Sequence, residues 1–236
     1  MLIINADDFG ISTGATDNIL ACYKNGRITT ASAMVYMDDS ERAAELALES
    51  KLDVGLHLNF THKFNGRGIT AKLIEYQTDI SDFLLKNKYS LLLYNPFLRR
   101  QFDYVYHAQY EEFVRLYDRF PSHIDGHHHM HLNMNMLIDR YIPKGCKVRR
   151  NFSFFQGEKN PANRLYRYTV DRFLARRYVY SDFFFSISPV SDQERLSRIM
   201  SLAQSSNVEL MVHPEKQEEL VYLMSEEHLK MISRVI

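Results

Sequence analysis

The sequence predicts a parallel α/β fold, best met by a (β/α) barrel of about seven strands in a single domain over residues 1–236. Three observations predict it. Short apolar runs alternate with amphipathic stretches about seven times along the chain. No Gly-rich phosphate loop and no G-x-G-x-x-G follows the first run, which disfavours a nucleotide-binding Rossmann fold. Chemically capable side chains fall at or near the ends of the predicted strands, where parallel α/β folds carry their sites. These are Asp7 and Asp8, His57, the His-rich run at 122–131, Arg149 and His213.

Leu2 to Ala6 reads as a buried first strand, stopping at Asp7-Asp8-Phe9-Gly10. Ser12 is placed to cap a helix with Ala15, Ile19 and Tyr23 on one face and Gly26 at its C-terminal end. Ala31 to Tyr36 reads as a second strand, and Ser40 opens a helix with Ala43, Ala44, Ala47 and Leu48 along one face. Val54 to Phe60 is the third strand. Residues 61–100 show no clean period and are expected as a loop with short helices over one end of the fold. Tyr110, Phe113, Val114 and Tyr117 mark an amphipathic helix ending near Pro121. A His-rich strand follows, then a helix from Leu132 to Tyr141, then a short strand at Lys147–Asn151. Phe183 to Ile187 is read as a strand. Ser191 and Glu194 form a capping box before Leu196, Ile199, Met200 and Ala203. Val208 to Val212 is the last strand, ending at His213-Pro214, and one or two helices finish the chain.

The totals narrow the class. Apolar residues make up 45% of the chain, enough for a sizeable core, and the formal net charge is zero, so a general nucleic-acid footprint is not expected. Cys22 and Cys146 make no disulfide framework and too few thiols for a Cys-based zinc site. The N-terminus lacks the basic region of a signal peptide, and no uncharged apolar stretch is long enough to span a bilayer. A soluble, cytoplasmic protein without stable membrane insertion is expected. Lys144 to Arg177 is the one charge-biased segment, with ten Lys or Arg against Glu158 and Asp171. It reads as an exposed basic helix. A narrower reading has Arg164, Arg167, Arg172, Arg176 and Arg177, with the aromatic rings among them, contacting an anionic glycan or a lipid-linked sugar.

Ser122 to His131 reads S-H-I-D-G-H-H-H-M-H. In an extended strand, His123, Asp125, His127, His129 and His131 share one face, with His128 alone on the other. A packing face would carry Val, Ile or Leu there, so the run points to metal binding. Asp8, His57 and His127 together make a carboxylate/His₂ set with open positions, the arrangement of catalytic metal sites. Asp7 beside such an ion is placed to act as general base, and His213 to protonate a leaving group. Each residue alone has a plainer explanation: a helix cap and a solvated carboxylate for Asp7-Asp8, a hydrogen-bonded core imidazole for His57 and for His213. His127 and His131 have the spacing that pairs them on a helix, whereas a strand pairs His127 with His129. By ligand softness the set suits zinc, cobalt or iron.

Asn5-Ala6-Asp7-Asp8-Phe9-Gly10, Gly55-Leu56-His57-Leu58-Asn59, Ser122 to His131 and Met211-Val212-His213-Pro214 occur in the order and spacing of four motifs. In these the chain resembles the YdjC-like carbohydrate deacetylases, which include chitooligosaccharide deacetylases and are related to the polysaccharide deacetylases. The resemblance implies a deformed (β/α) barrel and one divalent metal ion, Mg²⁺ or Zn²⁺. It implies hydrolytic removal of the N-acetyl group from an amino sugar or oligosaccharide. Position by position it assigns Asp8, His57 and His127 as metal ligands, Asp7 as base, His213 as acid and Arg149 as the group orienting the base. Asp125, His129, His131 and Asn59 are expected behind the ligands or on the substrate side. The expected partner is the N-acetylated sugar, and a homodimer is allowed. Segments 61–100 and 144–177 do not align with the family. Two other readings suit the same residues: a metal-dependent phosphoesterase or amidohydrolase, and a non-catalytic sugar-binding protein.

Overall fold

The computed structural model describes residues 1–155, 157–233 and 235. Its strands among these residues are β1 (Leu2–Phe9), β2 (Thr30–Ala33), β3 (Asp53–Leu58), β4 (Ile124–Gly126), β5 (Phe183–Ser186) and β6 (Val208–Val212). They form one six-stranded sheet in the order β4-β3-β2-β1-β6-β5. The pairs β1/β6, β5/β6 and β3/β4 run parallel. Parallel neighbours need long crossovers, and the helices between the strands supply them. Helices α1 (Thr13–Lys24), α2 (Ser40–Ser50), α3 (Ala71–Leu85), α4 (Arg99–Tyr117), α5 (Met134–Asp139), α6 (Pro161–Leu174), α7 (Gln193–Ala203), α8 (Gln217–Leu223) and α9 (Glu226–Ile232) complete the order. None of the described helices is long and apolar enough to cross a membrane.

The α/β class is met, and the seven-stranded barrel is not. β4 and β5 are the two edges of the sheet. The strand expected at 147–151 is reduced to a single parallel bridge between Lys147 and Val179. Only Val148 in that stretch has a strand-forming apolar side chain, and it is buried. Arg149 and Arg150 on its C-terminal side reach away to carboxylates instead.

The chain divides into two compact units. One comprises Met1–Asp7, Asp17–Ala31 and Lys144–Ile236. Its core joins Ile4 and Ala6 of β1, Val208, Leu210 and Val212 of β6, Phe184 and Phe185 of β5, and Leu196 and Ile199 of α7, all buried. The cap of α7 differs from the expected Ser191–Glu194 box. Asp192 holds the cap position and its carboxylate accepts from the Arg195 amide at 3.0 Å. An Asp one residue nearer the helix offers the stronger acceptor. On α6 the exposed positions include Leu165 and Tyr168, while Asp171 accepts from Arg150 at 2.5 Å.

The other unit comprises Asp8–Thr16 and Ser32–Pro143. Here residues 71–85 form the regular helix α3 rather than a loop with short helices. Its buried stripe is Leu73, Gln77, Ile80 and Leu84. Gln77 interrupts the apolar period, and it is buried because it is satisfied. Its Oε1 accepts from the Phe64 amide at 3.3 Å and its Nε2 donates to the His62 carbonyl at 2.8 Å. Polar loop-anchoring on a core face hides a helix from periodicity.

The His-rich run departs most from expectation. The strand stops at Gly126, and residues 127–132 turn in a 3₁₀ segment. His128 and His129 sit in the left-handed region, at φ 54° and 58°. Alternation by two therefore fails after Gly126, and the histidines leave the chain in several directions.

Candidate active site

β1 ends in the two carboxylates Asp7 and Asp8, both buried. Asp8 adopts φ 66°, a conformation that costs a non-glycine residue about 1 kcal/mol or more. Gly10 follows at φ 88°, with the Met34 carbonyl only 3.1 Å from where a Cβ would stand. Backbone strain of this kind gathers at functional sites, and Asp8, His128 and His129 all carry it.

In the unit that holds Asp8, three donor groups converge from three elements. Oδ1 of Asp8 lies 2.8 Å from Nδ1 of His127 and 3.2 Å from Nε2 of His57. One ligand-competent atom from each of the three lies within 4.8 Å of the others. His57 is in β3 and His127 directly follows β4, its neighbour in the sheet. The Asp8 and His57 side chains are essentially buried, while His127 keeps 12% of its surface open. Burial alone pushes the Asp8 carboxyl up. The hydrogen bonds from His127 and His57 outweigh it and hold the group well below the usual carboxylate range.

Asp125, opposite His57 in the β3/β4 register, settles what His57 offers. Its Oδ1 accepts from Nδ1 of His57 at 2.8 Å. With Nδ1 committed to Asp125, Nε2 is the ring nitrogen that faces the Asp8 carboxylate, at 3.2 Å. A proton or a cation between them holds the two together. A carboxylate and two imidazoles turned toward one point are the donor set of a divalent metal, and the fit is good.

His129 and His131 do not join the three converging donors among the described residues. His131 is buried and folds back on Gly126, where an added Cβ would meet its backbone and ring at 3.0–3.1 Å. His128 is exposed, with Nδ1 3.2 Å from the Thr61 hydroxyl, and partial burial lowers its pKa. Asn59 is buried in the turn after β3. Its side chain accepts from the amides of Thr61 and His62 and donates to the His62 carbonyl.

The other unit contains Asp7, Arg149 and His213. Arg149 donates to both oxygens of Asp7 at 2.7 Å and, through Nε, to Glu209 at 2.5 Å. Asn5 donates to Asp7 Oδ1 at 2.9 Å. The guanidinium stacks over Phe184, 4.9 Å from the ring centroid, and its side chain has no exposed surface. The His213 amide donates to Oε2 of Glu219 at 2.6 Å, and its Nδ1 lies 3.9 Å from Oε1. Ser188 donates to the same oxygen at 2.7 Å.

Sequence reasoning missed Glu209 and Glu219. Glu209 had a signal, since a carboxylate between Val208 and Leu210 in a buried strand requires a cation. Glu219 had none. Its surroundings depend on α8 folding back beside His213.

The family profile described as "YdjC-like protein" matches residues 1–234. The chain is 32% identical over 141 residues to a chitooligosaccharide deacetylase of Proteus mirabilis (strain HI4320), covering 56% of this chain and 50% of that protein. To the chitooligosaccharide deacetylase of Serratia marcescens it is 33% identical over 137 residues, covering 56% and 51%. The matched part thus spans about half the length of these relatives. A crystal structure from Enterococcus faecalis V583, described as a "putative cellobiose-phosphate cleavage protein", superposes with a TM-score of 0.71 at 20% identity. It covers 99% of this chain and 94% of that one, and shares the fold. With a profile matching from residue 1 to residue 234 and the family's four motifs in order, this chain belongs to the YdjC-like family.

Proposed function

We propose that this protein is a carbohydrate deacetylase, one domain over 1–236, that hydrolyses the N-acetyl group of an amino sugar or oligosaccharide. The observation that carries the reading is the convergence of Asp8, His57 and His127, with Nδ1 of His57 held by Asp125 so that Nε2 faces the same point. The named deacetylases among its relatives supply the reaction class. Asp8, His57 and His127 would hold a divalent ion, Mg²⁺ or Zn²⁺, which would supply a Lewis acid for the acetamide carbonyl and for a water.

The chain's own residues do the rest. Asp7 takes a proton from the attacking water, and Arg149 keeps that carboxylate ionised and fixed in direction. His213 gives a proton to the departing nitrogen, with Glu219 holding the backbone beside it. The C–O bond forms as Asp7 takes the water's proton, and the C–N bond then breaks as His213 protonates the nitrogen, leaving acetate and a free amine. Asp8, His57 and His127 hold the ion, and Asp125 fixes the His57 ring.

The test is acetate release from a panel of N-acetylglucosamine oligomers by protein stripped of metal and reloaded with magnesium, zinc or cobalt. Asp7→Asn is expected to keep the metal and lose turnover, whereas His127→Ala is expected to lose both. Asp7→Asn with near-normal turnover would refute the base assignment.

A further inference from the structure

A buried chain of hydrogen bonds leads from His57 away from the converging donors. The second oxygen of Asp125 accepts from Ser32 Oγ at 2.8 Å. Ser32 Oγ also lies 3.0 Å from Nε2 of His123, and Ser122 Oγ lies 3.0 Å from Nδ1 of the same ring. Ser32 and Asp125 have no exposed surface. None of these three groups beyond Asp125 figures in the reaction above.

The direction of each bond follows from the chemistry of the groups. A carboxylate only accepts, so Ser32 gives Asp125 its single proton and His57 gives Asp125 the proton on Nδ1. With its proton committed, Ser32 Oγ accepts from His123, which therefore carries hydrogen on Nε2. Nδ1 of His123 is then an acceptor, and Ser122 donates to it. The donors converge on Asp125 from both sides, which commits His57 Nδ1 to that carboxylate and turns Nε2 to the Asp8 side.

Gly55 belongs to the same arrangement. It lies two residues before His57 on the same face of β3. A Cβ there would stand 2.5 Å from ring atoms of His123, closer than any real contact. The glycine is what gives the His123 ring its seat over the strand.

We propose that Ser32 and His123 are positioning residues for the candidate metal centre: through Asp125 they lock His57 as the Nδ1–H tautomer that presents Nε2 to the ion. The inference rests on the metal reading for its purpose, and the wiring stands on the geometry alone.

Two measurements on the full chain test it at one fixed pH. Ring ¹⁵N NMR of the metal-free protein, with His57 assigned through His57→Gln, is expected to show Nδ1–H in the wild type and a mixture in Ser32→Ala. Titration calorimetry with Zn²⁺ is expected to show affinity lowered roughly 10- to 100-fold in Ser32→Ala and in Gly55→Ala, the range for groups behind metal-binding histidines. Asp125→Asn, which turns one of the two accepting oxygens into a donor, should lower it at least as far, and thermal melts of the metal-free proteins establish that each variant is folded. Folded variants with wild-type zinc affinity and an unchanged His57 tautomer would overturn the proposal, since Ser32 and His123 would then be merely structural. A wild type that binds no divalent metal would instead sink the deacetylase reading, and the NMR result would still decide the wiring.

Discussion

Replacing Arg149 by Met tests the buried ion network most severely. The guanidinium makes three charge-assisted bonds, two to Asp7 at 2.7 Å and one to Glu209 at 2.5 Å, with no exposed side-chain surface. Methionine fills much of the space and supplies no donor. At about 1.5–3 kcal/mol for each hydrogen bond to a charged group, the naive sum overshoots, because the desolvation of Arg149 itself is relieved. The remaining cost is that of unpaired buried carboxylates, about 3–5 kcal/mol. In urea, with a slope of about 3 kcal/mol per molar, the unfolding midpoint should fall by roughly 1–2 M. The triple variant Asp7→Asn, Arg149→Met, Glu209→Gln should recover most of that loss, because neutral partners no longer need the cation. A single variant within about 0.5 kcal/mol of wild type, or a triple variant worse than the single, would refute the claim that charge pairing sets the cost.

Three smaller predictions concern other parts of the chain. Burial pushes His228 down to about 4, while its Nε2–H donates to the Arg27 carbonyl at 3.3 Å. A folded pKa below the unfolded value of about 6.5 gives stability that is present above pH 6.5 and lost as pH falls toward 4. Between pH 7 and 4.5 the wild type should therefore lose about 2 kcal/mol more than His228→Gln, as read from urea midpoints at the two pH values; equal losses would contradict it. Asp192→Ala should cost about 1 kcal/mol in thermal unfolding and Ser191→Ala almost nothing, the reverse of what a Ser191 cap predicts. Gln77→Ala should cost about 1–3 kcal/mol and speed proteolysis at 61–66, since it frees the Phe64 amide and leaves the His62 carbonyl to Asn59; unchanged cleavage there would argue against the anchor.

The residues of the candidate site were more legible in the sequence than the sheet around them. Asp8, His57 and His127 were legible because metal-competent groups stood where apolar residues belong, and the structure brings them together. Val208–Val212 was legible as a short apolar run interrupted only by Glu209. The His-rich run misled beyond Gly126, because two successive left-handed residues, His128 and His129, break the alternation and carry no glycine signal. Helix α3 was hidden by Gln77, whose burial is explained only by loop amides folded onto it. Arg149 was placed by its resemblance to the family, yet its second partner, Glu209, is read from the β1/β6 register, which sequence does not contain. Local chemistry is written in residue type, whereas pairing across the sheet depends on how distant segments meet.

If one ion held by Asp8, His57 and His127 makes this chain release acetate, the rate of release from an N-acetylglucosamine dimer must follow zinc or magnesium added back to metal-free protein in known equivalents. The expected result is no release without metal, a rise that levels off at one equivalent, and no rise in His127→Ala. Release from metal-free protein, a plateau at two equivalents, or no release with any metal or oligomer length would contradict it.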